Sequence, residues 1–313
     1  MKKVYLSPSK VNSLRICEAA FVHRYVLRTP PTGGGNPSRA VGQALDAGAE
    51  FDLSAVATAL DAGAPRAGAD LPLAAVQDIA ADAYEAASDG HGSYQREDGT
   101  VTTTEEPPID FALHDSDRGR LKDVSLNVVV PAWYTQHAPL VQPAKVQQWV
   151  SFTKIDVDAD LEIVMRARLD VLPRDGVLVD VKHTSKDRYT KVADADVDDQ
   201  LTACDLGYRT LTGEAPTALG WDTVRYAHRG PTKTMPDRDT YEVVDAPQVR
   251  VPPRTEAALD SYFERLDRDA ERALALIKGD VRPRFADRDS WACSKRWCSV
   301  WGACSQGGGK IKV

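Results

Sequence analysis

Asp180 and Lys182 interrupt an otherwise apolar run, VLPRDGVLVDVKH, at positions 171–183. Residues two apart in a strand point to the same face, so an acid and a base stand side by side there. Arg174, Asp175 and Gly176 read as a three-residue hairpin loop with Gly176 in the left-handed position. That register sets Asp170 opposite Asp180 and makes one patch of two carboxylates and an ammonium. Two carboxylates so close repel unless a cation lies between them, and hard ions such as Mg²⁺ or Mn²⁺ prefer oxygen ligands. Lys182 beside such an ion would orient or help deprotonate a water that attacks phosphorus. The plainer alternative is an exposed sheet face with an ordinary Asp/Lys pair. It suits an isolated D-x-K, but the upstream Asp170 makes it less attractive.

A second constellation is independent of the first. WACSKRWCSVWGAC places Cys293, Cys298 and Cys304 close together, and the distant Cys17 lies in SKVNSLRICEAAF. Four thiolates hold either structural Zn²⁺ or an iron–sulfur cluster, and the residues alone leave that choice open. Four buried cysteines are the alternative. Arg282, Arg284, Arg288, Lys295 and Arg296 alternate near Trp291, Trp297 and Trp301. That mixture can hold phosphates and stack the bases of a single strand, or simply pack and solvate.

The stretch RLDVLPRDGVLVDVKHTS resembles the PD-(D/E)XK nuclease superfamily, and more closely its RecB-like branch, in which R-x-D precedes V-D-V-K-H-T. The resemblance implies a metal-dependent DNA exonuclease acting on single-stranded ends, with Asp170 and Asp180 as metal ligands and Lys182 acting on the water. It also implies a glutamine on the following helix, matched by Gln200, although Cys204 stands where that branch usually has tyrosine. A G-x-x-x-H helix supplies a histidine ligand in the branch; here Gly42 keeps the spacing and Asp46 takes the histidine position, offering a carboxylate oxygen instead. One cysteine in the first helix and three near the C-terminus are similar to the iron–sulfur nucleases, the AddB subunit and the fourth CRISPR-associated protein family. This implies a 4Fe-4S cluster on Cys17, Cys293, Cys298 and Cys304, with Cys204 outside the set. Recombination, phage replication or CRISPR adaptation are the settings it suggests, with a helicase or recombination partner. The alternatives are a non-catalytic iron–sulfur DNA-binding or assembly subunit, or a nuclease acting on duplex ends or RNA.

The elements that must position these residues follow a mixed α/β pattern. The sequence predicts a restriction-endonuclease-like mixed sheet flanked by helices, after a helical N-terminal half and before a cysteine-clipped tail. Its expected parts are residues 1–44 with the first helix and Cys17, a helical insertion over 45–144, the nuclease core over 145–284, and the cluster tail over 285–313. Ser7 and Pro8 form a cap and first turn, with a helix continuing to Val26. Two alanine-rich helices follow, then a loop over 89–108 and a helix kinked or broken near Pro131. Strands are expected at 145–155, 160–172, 177–184, 219–229 and 240–250, with helices at 194–212 and 254–278. In 313 residues with net charge -7, no polycationic coat for nucleic acid is present, though local basic patches remain open. The N-terminus lacks the apolar core of a signal peptide, no stretch approaches the roughly 18 apolar residues of a membrane span, and the expected location is cytoplasmic. A phosphate-binding G-x-x-x-x-G-K-S/T pattern is absent, which excludes an intrinsic helicase motor of the usual design.

Overall fold

The computed structural model describes residues 1–32, 35–95, 101–230, 234 and 240–307. The chain opens with β1 (Lys2–Leu6), a strand the sequence reading did not foresee, burying Val4 and Leu6 in alternation. α1 (Pro8–Ile16) starts where expected: the Ser7 side chain accepts the Lys10 backbone N–H, and Pro8 occupies the first turn. It does not run on to Val26. Cys17 is extended, at φ -159° and ψ 106°, and splits off α2 (Glu18–Phe21), which widens into a π-type turn over Val22–Val26.

α3 (Pro37–Asp61) and α4 (Leu73–Ser88) are the alanine-rich helices, and α3 is continuous through residues 44 and 45. The expected loop over 89–108 instead carries two antiparallel strands, β2 (His91–Gln95) and β3 (Val101–Glu105); residues 96–100 lie outside the described residues. α5 (Arg118–Val124) passes through a π-type turn, Ser125–Val129, into α6 (Val130–Gln136). The widened turn sits just before Pro131, whose missing N–H cannot join the helical ladder. Next come β4 (Pro143–Asp156), β5 (Leu161–Pro173) and β6 (Val177–Thr184). The helix expected over 194–212 is two, α7 (Val192–Asp196) and α8 (Asp199–Thr212), because the Asp198 carboxylate accepts the Leu201 N–H and caps a new start. β7 (Ala218–Arg229), β8 (Thr240–Asp245), β9 (Gln248–Val251) and α9 (Glu256–Lys278) complete the core.

The long strands build two mixed sheets. In the first, β5 runs parallel to β1 and antiparallel to β4. In the second, β7 runs parallel to β6 and antiparallel to β8 and β9. The hairpin pairing expected between β5 and β6 is therefore not formed. Its turn is as expected, with Gly176 at φ +76° and the Asp175 carboxylate accepting the Val177 N–H. The Asp170 carboxylate, however, accepts the Val181 N–H at 2.9 Å, the donor a ladder would use, and β6 takes β7 as partner instead.

Two apolar clusters hold the layers together. One joins Leu6, Leu14 and Phe21 to inward residues of β4 and β5 and to α8 and α9. The other joins α3, α4 and α6 to Val171, Val181, Val224 and Tyr226. Each fully buried large side chain contributes roughly 1.5–3 kcal/mol. The site lies between these clusters, where β5 and β6 diverge. Among the described residues no helix is long and apolar enough to cross a membrane.

Candidate active site

β6 begins just after β5 ends, and the two strands bring Asp170, Asp180 and Lys182 to the wall of one cleft. Asp180 is 6% exposed. Its Oδ1 accepts a 2.9 Å hydrogen bond from the Gln200 amide, and its Oδ2 lies 2.6 Å from the Lys182 ammonium, an ion contact outside hydrogen-bond geometry. Gln200 sits in the first turn of α8, from which its amide reaches the Asp180 carboxylate. Asp46 of α3 joins the group: burial is the main force raising its carboxyl to about 6, against the pull of Lys182 and with a push from Asp180. Asp180 rises to about 7 for the same first reason, relieved by Lys182 and aggravated by Asp170. Asp170 also rises, through burial and then the Asp46 charge. Asp46 and Asp170 keep part of their surface open to the cleft, so burial acts on them less fully than on Asp180. Burial alone would lower Lys182; Asp180 and Asp170 outweigh it and raise its affinity for the proton.

All four candidate residues and Gln200 line one cleft of about 910 Å³. Its other walls include Ser9, Asn12, Trp149, Arg166, Arg168 and Tyr189. Cys204, one turn beyond Gln200, also lines it and is buried, its thiol raised first by burial and then by Asp180 and Asp170. Gly42 has a packing role in the G-x-x-x-D pattern: a Cβ there would stand 3.1 Å from the His183 ring, which is stacked on Tyr226.

Gln147 was missed by the sequence reading. In β4 it falls between the residues paired with Val171 and Leu169, opposite Asp170, and is left out of the register at φ +52°. That backbone region is uncommon for a residue other than glycine and gathers at functional sites. Gln147 is 8% exposed, its Oε1 has no hydrogen-bond partner, and it lines a small cavity with Asp46, Glu50 and Asp170. No sequence signal marks it, because the irregularity arises from pairing.

The family model of the PD-(D/E)XK nuclease superfamily matches residues 5–305. The chain belongs to this superfamily. Asp170, Asp180 and Lys182, which the sequence pattern singled out, all line the cleft. A solved structure of a candidate exonuclease from Eubacterium rectale aligns over 92% of this chain and 86% of its own at 11% identity, with a TM-score of 0.47. No curated protein matches.

Members of the superfamily generally use divalent metals, and the donor chemistry here fits one: three carboxylates repel one another around one ammonium, so a cation would relieve the site. Among the described residues, no group of three or more His, Cys, Asp or Glu side chains is gathered into a metal shell. That holds for the expected Asp46, Asp170 and Asp180 set and for the cysteines alike. The thiols do share a neighbourhood: Cys293 and Cys298 are each pushed up by burial and then also by Cys304 and Cys17. Cys204 is elsewhere, on α8. Of the tail tryptophans, Trp297 packs edge-on against His114 at 5.2 Å, while Trp291 stays 65% exposed.

Proposed function

We propose that this nuclease-superfamily chain is a metal-dependent exonuclease that hydrolyses phosphodiester bonds at single-stranded DNA ends. The observation that carries the reading is the convergence of Asp170, Asp180 and Lys182 at the floor of a cleft walled by arginines. A phosphodiester is anionic, so the cleft needs cations near the scissile phosphate and a means of activating water. Asp170, Asp180 and Asp46 would hold Mg²⁺ or Mn²⁺, which supplies Lewis-acid polarisation of phosphate and water. Gln200 fixes the Asp180 carboxylate through its amide. Lys182 is held as an ammonium by Asp180 and Asp170. Its role is therefore to stabilise charge growing on the phosphate oxygens rather than to remove a proton from water.

The four thiols of Cys17, Cys293, Cys298 and Cys304 are the donor set for a 4Fe-4S cluster in this reading, where it is architectural, tying the tail to the segment after α1. The chain would work in the cytoplasm, in recombination, phage replication or CRISPR adaptation beside a helicase or another partner protein.

The test is incubation of anaerobically purified protein with end-labelled single- and double-stranded DNA and with RNA, in Mg²⁺, Mn²⁺ or EDTA. Stepwise shortening of single-stranded DNA that stops in EDTA is the expected result. Binding without cleavage in either metal would make the chain a non-catalytic DNA-binding subunit. Preference for duplex ends or RNA would move the substrate class.

A further inference from the structure

The outward face of β5 continues past Asp170 as Arg168 and then Arg166, each two residues further from the carboxylates. The alternating residues Leu169, Ala167 and, beyond Arg166, Met165 are buried in the core, so the alternation leaves both guanidinium groups on the cleft side. Strand rise separates the two by about 6.8 Å, the scale of successive phosphates on an extended single strand. Neighbouring strands add flat side chains to this row. Trp149 of β4 is directly opposite Arg168 and lines the same cleft. Tyr5 of β1 is 46% exposed and carries the Arg166 guanidinium 4.9 Å from its ring centre.

A further cation converges here. Lys10, at the start of α1, is lowered by burial and then by the charge of Arg166, and its ammonium lies 5.7 Å from the Tyr25 ring centre. The acids on the β5 face stand at its two ends: Asp170 at the catalytic floor, and Glu162, which Lys3 holds at 2.6 Å. A row of positive charge flanked by aromatic faces, starting at the reactive carboxylates, is what a phosphate backbone with splayed bases would fill.

We propose that this face is a subsite for two nucleotides of single-stranded DNA beyond the scissile phosphate. Arg168 and Arg166 take successive phosphates, Trp149 stacks one base, and Tyr5 borders the outer end. The inference rests on the nuclease reading above and names where its substrate lies. It also differs from the sequence expectation, which put base stacking on the tail tryptophans.

The experiment is anisotropy of labelled oligothymidylates bound to the full-length protein in EDTA, across a salt series, with cleavage in Mn²⁺ measured in parallel. Arg166→Gln should weaken binding on the order of ten-fold and lower the salt slope by about 0.7, one phosphate contact on a single strand. Trp149→Ala should weaken binding about ten-fold with little change of slope, and Trp149→Phe should regain most of it, because stacking needs only an aromatic face. Circular dichroism and melting of each variant check folding; if Trp149→Ala does not fold, Trp149→Leu and Arg166→Gln still decide the matter. Parent-like affinity and slope in folded Arg166→Gln and Trp149→Leu would overturn the subsite even if the parent cleaves DNA. Binding that depends on both residues, in a protein that cleaves nothing, would keep the subsite and overturn the hydrolase reading.

Discussion

Lys182 and Gln200 grip opposite oxygens of the Asp180 carboxylate. Asp180→Asn and Lys182→Ala are each expected to reduce DNA cleavage by at least about 1,000-fold, because removing one preorganised charged group costs on the order of 10²–10³ in rate and these two act as a unit. Oligonucleotide binding in EDTA should change far less, since phosphate contacts elsewhere supply most affinity. Wild-type turnover by either variant would remove these residues from the mechanism. His183, next in sequence, reports burial. Its imidazole is lowered to about 4, by burial first and then by Lys182. The fold holds it neutral, whereas an unfolded histidine takes a proton near pH 6.5. Its contribution to stability is therefore present above about pH 6.5 and is lost as pH falls toward 4. In an NMR titration the His183 ring protons should move only near pH 4, and the gap in melting temperature between parent and His183→Gln should narrow on acidification from pH 7 to pH 4.5. A ring titrating near 6.5 would contradict the packed position between Gly42 and Tyr226.

The break between α1 and α2 gives the first segment its second job. Cys17 lies in the break, and Glu18 immediately after it is 4% exposed, accepting hydrogen bonds from the Arg272 side chain of α9 and from both the side chain and backbone N–H of Arg284. The Ala19 N–H donates to the Arg284 carbonyl, so the chain entering the cysteine tail is laid against α2. Burial opposes this arrangement, but the arginine bonds win and hold the Glu18 carboxyl down at about 2. Glu18→Ala should destabilise the protein by about 2–3 kcal/mol, the value of charge-assisted hydrogen bonds to a buried acceptor. Limited proteolysis should then cut first after residue 280, releasing the tail while the β5–β6 region stays protected. Cleavage elsewhere first, or no change in melting, would mean that the tail is anchored by other contacts.

At the scale of the molecule, the tail and the first helices are joined across nearly the whole chain. Thr32 accepts and donates backbone and side-chain hydrogen bonds with Ser299 and Gly302, and Arg296 bonds to the His114 carbonyl and ion-pairs with Asp115. If a cluster completes this closure, it links residues far apart in the unfolded chain and should matter greatly to stability. Protein prepared without oxygen is expected to contain iron and sulfide. Cys17→Ala or Cys298→Ala should lose both together with solubility, whereas Cys204→Ala, buried beside Asp180, should keep them. One zinc per chain and no sulfide would replace the iron assignment with a structural zinc site.

Strand alternation and the cap at Ser7 were legible because they depend on neighbours in sequence: D-x-K must share a face in any strand, and Ser-Pro suits a helix start because the serine oxygen caps a free N–H and proline lacks one. The same local logic read the left-handed Gly176 and the lengths of β4, β5 and β6 within a few residues. Where β5 and β6 find their partners was not local. β5 pairs with β1, some 160 residues earlier in register, and β6 with β7 across an intervening helix pair. Only that pairing puts the Asp170 carboxylate on the Val181 N–H, leaves Gln147 unpaired opposite Asp170, and stands Trp149 and Tyr5 beside Arg168 and Arg166. Sequence by itself determined which residues could carry chemistry and which of them share a strand face, since charge and side-chain period are written into each segment. The tertiary structure alone decided which faces meet, because burial and hydrogen bonding are satisfied by partners that the local chain does not specify.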